Sequence, residues 1–162
     1  MDALDAIRQR RSVRQFTGDS IPRADLEMIV AAAGLAASGN NRQPWEFIVI
    51  TDRAMIDQLK VAAAWMEQAG AIIAVVLDPA SLWWKEDGSA AVENMLLAST
   101  ALGYGSCWLE GYTLPLEQEF KLLLHIPQTK RLFTLVPLGV PVAWPPAKAK
   151  KALPEILRWE TY

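Results

Sequence analysis

Cysteine and histidine are almost missing from this chain: Cys107 and His125 stand alone in 162 residues. One thiol excludes an intrachain disulfide. One cysteine and one histidine also fall short of an ordinary zinc ligand set within a single chain, so no metal site is expected and a reducing compartment fits. An excess of charge of either sign is missing too. Sixteen Lys and Arg against eighteen Asp and Glu leave a formal net charge of −2, without the basic field that holds nucleic acid. No apolar run approaches the length that spans a bilayer, and Met1-Asp2-Ala3-Leu4-Asp5 has neither a basic nor an apolar leader segment. The expectation is a cytoplasmic protein with no nucleic acid and no membrane among its partners. Internal repeats and low-complexity tracts are absent as well.

What the chain does have is core. Hydrophobic residues make up 52% of it, enough for one domain over residues 1–162 whose last part, about 140–162, is extended. Leu4 and Ile7 share a face over residues 2 to 10, and Leu26, Ile29, Val30 and Ala33 do so over 22 to 36 behind Pro22; both patterns predict helices. Residues 46 to 51 form a β-branched strand ending at Asp52, a good cap for a helix containing Ile56, Leu59 and Ala63. The unbroken apolar run from Ala71 to Leu77 predicts a fully buried strand. A long helix is expected over 89 to 102 with Gly103 as its stop, followed by a strand near Ser106 to Leu109. A shorter helix carries Leu116, Phe120, Leu123 and Leu124, and Phe133 to Gly139 forms the last strand. Beyond Val140, Pro141, Pro145 and Pro146 extend the chain, while Ile156, Leu157 and Trp159 still need burial, so this tail is expected to pack across another subunit.

Three segments carry candidate chemistry. Arg10-Arg11-Ser12-Val13-Arg14 concentrates guanidinium forks and a hydroxyl, the donor set that phosphate oxygens accept from; the same charges would equally cap a helix C-terminus. Ala37-Ser38-Gly39-Asn40-Asn41-Arg42-Gln43-Pro44-Trp45 is a polar loop whose amides both donate and accept, as the edge of a planar heterocycle requires, or an ordinary turn in which Asn bonds its own backbone. In Trp108-Leu109-Glu110-Gly111-Tyr112 a strand runs into a glycine that lets a ligand approach the backbone, or simply turns.

Taken in order, these segments resemble the FMN-dependent nitroreductase family nearly end to end. Ile7 to Phe16 is similar to its opening motif and Asn41-Arg42-Gln43-Pro44-Trp45 to its Asn-x-Gln-Pro-Trp loop. Glu93-Asn94 and Ala101 to Trp108 match its helix-to-strand passage, and Pro137-Leu138-Gly139 its last core strand. Lys148-Ala149-Lys150-Lys151 stands where the family has a basic phosphate-binding segment, with Lys150 in place of the more usual Arg, and Ala37 stands where Pro is frequent.

The resemblance implies an α+β fold with a central mixed sheet flanked by helices and a C-terminal tail exchanged across a homodimer. It implies FMN at the subunit interface and NADH or NADPH as electron donor. Arg10, Arg11, Ser12 and Arg14, with Lys148 and Lys150, would hold the phosphate and ribityl chain. Ser38 and Asn41 would approach the ring from the neighbouring subunit, and Glu110 with the Gly111 N–H would lie near flavin N5. The implied reaction is ping-pong hydride transfer through N5 to a nitroaromatic, quinone or similar small-molecule acceptor. No side chain is an essential catalyst, since such chemistry needs no acid–base triad; Glu110 is the one candidate for tuning N5. The absence of a G-x-G-x-x-G fingerprint leaves NADH and NADPH undivided. The connection Asp78 to Gly88 is shorter than the helical excursion of many members, and Trp83 and Trp84 within it are expected either to line the substrate pocket or to bury at an interface. Reductive dehalogenation and flavin fragmentation occur on the same fold in relatives with substrate-covering elements. The alternative from another class is a flavin- or phospholigand-binding protein without turnover. His125 reads as a helix-end residue and Cys107 as a small buried hydrophobe.

Overall fold

A computed structural model describes residues 1–162. Of seven helices and four strands, five helices and the four strands lie close to where the sequence patterns place them; the short helical turns Glu110–Thr113 and Leu153–Ile156 are not expected from those patterns, the latter interrupting the tail read as extended. Helix α1 (Ala3–Gln9) starts at Asp2, whose carboxylate accepts the Asp5 N–H at 2.8 Å, and α2 (Arg23–Gly34) follows Pro22. Strand β1 (Trp45–Ile50) ends at Asp52, which caps α3 (Arg53–Leu59) by accepting the Met55 N–H at 2.8 Å. The α-helix expected to reach Ala63 stops at Leu59 and continues as two 3₁₀ segments, Lys60–Ala62 and Ala64–Gln68.

Strand β2 (Ala71–Leu77) is buried at every position. Helix α4 (Trp84–Ala101) is the longest element, and its N-terminus lies five residues earlier than residue 89, so Trp83 is its cap and Trp84 its first residue rather than loop residues. Strand β3 spans only Gly105–Ser106, shorter than expected. Bonds from Cys107 N–H to the Pro137 carbonyl (3.1 Å) and from Leu109 N–H to the Leu135 carbonyl (3.0 Å) prolong its course. Opposite Cys107 the ladder is one-sided because Pro137 has no N–H to return. The segment then coils at once into α5 (Glu110–Thr113), so Glu110 opens a helical turn instead of ending a strand. Helix α6 (Glu117–Leu123), strand β4 (Arg131–Gly139) and the short α7 (Leu153–Ile156) complete the chain.

The strand order is β1-β2-β4-β3, and all three pairings are antiparallel. The sheet is mixed only through an isolated parallel bridge between Ser12 and Ser106. Alternation along β2 splits the interior in two. Ile72, Ala74 and Val76 pack with Ile56, Leu59, Met66 and Phe120 on one face. Ala71, Ile73, Val75 and Leu77 pack with Ile29 of α2 and Met95 of α4 on the other. Each such aliphatic side chain contributes about 1.5–3 kcal/mol of burial, which fixes the sheet as the central layer of three.

Two apolar surfaces are left over. Leu4 and Ile7 of α1 are exposed, only Ala6 of that helix being buried. Every residue from Pro146 to Tyr162 is exposed, including Ile156, Leu157 and Trp159. No helix is long and apolar enough to cross a membrane.

Candidate functional site

Val13 is the anchor of the arginine cluster. It is 1% exposed while Ser12 and Arg14 on either side are exposed, the period-two alternation of an extended segment. Its N–H donates to the Ser106 carbonyl at 3.0 Å, fastening residues 12–14 to the edge of β3. Gly105 makes this approach possible: a Cβ there would sit 2.7 Å from the Val13 Cβ. Farther on, Thr17 N–H donates to the Val140 carbonyl at 3.0 Å and Val142 N–H to the Gln15 carbonyl at 3.1 Å. These bonds lay the start of the C-terminal tail alongside the same segment.

The result is a cleft of about 960 Å³ built from both ends of the chain. Arg10, Arg11, Ser12 and Arg14 line one side, and Trp144 to Lys150 the other, Lys148 and Lys150 included. Six cationic side chains, with Arg8 the sixth, face a single carboxylate, Glu93 of α4. In a chain of net charge −2 this is a concentrated positive patch.

The structure divides labour within the cluster. Arg11 Nη1 donates to the Arg8 and Arg10 carbonyls at 2.7 and 2.8 Å, the helix-capping role, while its buried Nε has no partner. Arg10 Nε lies 3.5 Å from Glu93 Oε1. Arg14, Lys148 and Lys150 form no ion pair and remain available. Behind them Cys107 is 1% exposed, and burial pushes its thiol above the usual range despite the opposing pull of the Arg14 charge. It is a packed hydrophobe, and the exposed His125 ends α6 in a left-handed conformation (φ 54°).

The polar loop lies apart from this cleft. Ser38 Oγ accepts the Gln43 N–H at 3.1 Å, and Gln43 Nε2 donates to Asn41 Oδ1 at 3.0 Å. The Gly39 N–H donates to Asp87 Oδ1 of α4 at 3.0 Å. Asp87 escaped the sequence reading, since a carboxylate in a first helical turn ordinarily faces water; here it is buried. Trp83 lies against Gly39, where an added Cβ would meet its Cε3 at 2.1 Å. Trp84 points elsewhere: its ring stands edge-on to Phe133 at 6.3 Å and takes the Arg131 guanidinium over its face at 5.7 Å. Trp84 is thus a packing residue, whereas Trp83 keeps 42% of its surface exposed.

Glu110 is half-buried at the start of α5, and Gly111 is exposed with nothing within 4 Å of an added Cβ. Within one chain, then, the residues expected to hold a phosphate converge on one cleft. Ser38, Asn41, Glu110 and Gly111 do not line that cleft. The donor set of the cleft, with charged forks, free ammonium groups, a hydroxyl and an orphaned guanidinium N–H, is that of a phosphomonoester site. The residues present therefore fit the phosphate end of FMN.

Comparison with known proteins agrees. The model of the Nitroreductase family matches residues 7–74 and 57–140. A protein of Archaeoglobus fulgidus provisionally named NADH dehydrogenase/NAD(P)H nitroreductase is 40% identical over 151 residues, covering 86% of each chain. An iodotyrosine deiodinase of Thermotoga neapolitana is 26% identical over 85% of this chain and 87% of its own. A nitroreductase of Bacteroides fragilis, crystallised with bound FMN, superposes with a TM-score of 0.84 over 99% of this chain and 100% of that one, at 24% identity. With its opening arginine motif, its loop and its sheet all inside the matched residues, the chain belongs to the Nitroreductase family of oxidoreductases.

Proposed function

We propose that this chain is an FMN-dependent NAD(P)H oxidoreductase that works as a homodimer and passes hydride equivalents to nitroaromatic, quinone or similar acceptors. The observation that carries the reading is the cleft: residues 10–14 and 148–150, more than 130 positions apart, bring their cations to one site. Bound FMN would supply the redox chemistry, accepting a hydride at N5 and releasing it to a second substrate. The chain's part is to hold and orient. Arg14, Lys148 and Lys150 neutralise the phosphate, Ser12 donates to it, and Arg11, already fixed against the end of α1, offers its orphaned Nε–H. With their acceptor oxygens engaged by Gln43, the Ser38 hydroxyl and the Asn41 Nδ2 amide remain as donors to the ring from the partner subunit. Glu110 and the Gly111 N–H stand at the opening of α5 as candidates for the N5 side.

Dimerisation is supported by the exposed apolar tail, the exposed Leu4–Ile7 face of α1 and the unpaired outer edge of β1.

The test is a visible spectrum of the purified protein, anaerobically, before and after NADH and then NADPH, with acceptor added last. Bound FMN that bleaches with a nicotinamide and returns with a nitroaromatic or quinone supports turnover. Flavin that no nicotinamide reduces favours a binding protein instead. Reduced flavin that only a halogenated aromatic reoxidises favours the dehalogenating reading to which the deiodinase relative points.

A further inference from the structure

The loop carrying Ser38 and Asn41 holds three residues in a backbone conformation that Asn tolerates and Gln rarely adopts. Asn40, Asn41 and Gln43 all lie in the left-handed region, at φ 51°, 55° and 48°, and none is glycine. Such conformations persist where the surroundings over-determine them. Inside the loop the bonds from Gln43 to Ser38 and Asn41 contribute. From outside, one hydrogen bond reaches Ser38–Gln43: Gly39 N–H to Asp87 Oδ1 at 3.0 Å, across 48 positions of sequence.

Asp87 is an unusual residue to find there. It is 5% exposed, and its second oxygen, Oδ2, is buried without any partner. Burying a carboxylate is costly unless strong donors meet it, and this one has a single backbone N–H and the positive end of the eighteen-residue α4. A neutral or apolar residue would serve the packing of α4 better. What the charge does supply is a strong bond to the loop. Trp83, one turn earlier, presses on Gly39 from the same helix end.

We propose that Asp87 is a positioning residue that clamps Ser38–Gln43 and so aims the Ser38 hydroxyl and the Asn41 amide as ligand donors. The clamp itself stands on this geometry; its consequence for flavin rests on the function proposed above.

Two readouts test it on the full chain. In the flavin-free protein, Asp87→Ala is expected to speed hydrogen exchange at Gly39, Asn41 and Gln43 about tenfold, with β4 amides unchanged. The same variant should raise the FMN concentration for half-saturation about tenfold while leaving that for inorganic phosphate unchanged, a split that general destabilisation would not produce. Asp87→Asn, which keeps an oxygen for the Gly39 N–H, is expected to recover most of both losses, and should Asp87→Ala fail to fold, a smaller change in the same direction in Asp87→Asn supports the clamp. Loop amides that exchange at parental rates in every variant that folds overturn it. A parent chain that takes up no FMN overturns the flavin reading alone, because the exchange measurement needs no flavin.

Discussion

Arg10 Nε and Glu93 Oε1 sit 3.5 Å apart across the cationic cleft, so the one carboxylate there is paired with one of the guanidiniums a phosphate would use. The pair is partly exposed, with side-chain exposures of 24% and 50%, and its contribution to stability is small, about 0–1 kcal/mol. Its effect on an anion is larger in consequence, because removing Glu93 frees Arg10 and deletes a repulsive charge. Glu93→Gln is expected to tighten FMN binding about two- to threefold, with thermal stability within about 0.5 kcal/mol of the parent. Fluorescence titration measures it. Weaker binding would mean instead that Glu93 serves by orienting Arg10.

Lys150 lines the same cleft as a point charge on a flexible stem. An Arg there would present a planar fork able to make two parallel bonds to phosphate. Lys150→Arg is expected to tighten FMN about threefold, and Lys150→Ala to weaken it about tenfold. Riboflavin, which lacks the phosphate, should bind each variant as it binds the parent. Equal losses for both ligands would show that the tail acts on the ring instead.

Glu117 and Arg131 form a two-pronged ion pair at 2.7 Å for each prong, and the Leu132 N–H donates to Glu117 Oε1 at 3.1 Å. The Arg131 guanidinium is the main reason that the Glu117 carboxyl lies below its ordinary range. A carboxyl depressed in the folded state gives stability that is full above its unfolded value, near 4.3, and is lost as pH falls through the lower folded value. Chemical denaturation from pH 7 down to 3 is expected to show that loss, and Glu117→Gln to remove its Glu117 share. Because Arg131 is partly exposed, Glu117→Gln should cost about 2 kcal/mol at pH 7 rather than the larger penalty of a fully buried pair.

Tyr104 Oη donates to Asp25 Oδ2 at 2.5 Å, joining the start of α2 to the turn after α4. This bond above all, with burial adding to it, pushes the phenol up to about 12. The folded state therefore keeps a proton that the unfolded chain gives up near 10, so stability falls as pH rises from about 10 toward 12. Ultraviolet titration should show one of the three tyrosines ionising late, and Tyr104→Phe should abolish that late step.

Much of this was legible in the sequence because it depends on local pattern. The unbroken run Ala71–Leu77 suits a strand covered on both faces better than a helix, and Asp52 announced its helix through a side-chain oxygen. The start of α4 was hidden because Trp83 is no capping residue, and the turn at Glu110 because the chain coils as soon as its bonding to β4 ends. In the site, the arginine cluster and the two lysines were readable as charge. Their meeting depends on backbone bonds from Thr17 to Val140 and from Val142 to Gln15, which no spacing foretells. Asp87 was invisible for the same reason: its partner is 48 residues away.

Gly39 and Trp83 supply the sharpest steric test. A methyl group on Gly39 would lie 2.1 Å from Trp83 Cε3 and 2.8 Å from Cζ3, closer than real atoms approach. The indole is 42% exposed, so it has somewhere to go, but moving it gives up its packing on Gly39. Gly39→Ala is therefore expected to destabilise the fold by about 2 kcal/mol, within the range of overpacking, and to shift the tryptophan emission as the ring leaves its seat. Trp83→Ala alone should cost less, since half the ring is already in water. The double variant carries the decisive information: with the indole gone, the three nearest neighbours of the added methyl go with it, so Gly39→Ala should cost much less in the Trp83→Ala background. A coupling near the full penalty of the single variant identifies steric contact as its cause. Strict additivity would instead mean that the methyl is opposed by something other than the indole, and that Trp83 merely lies nearby.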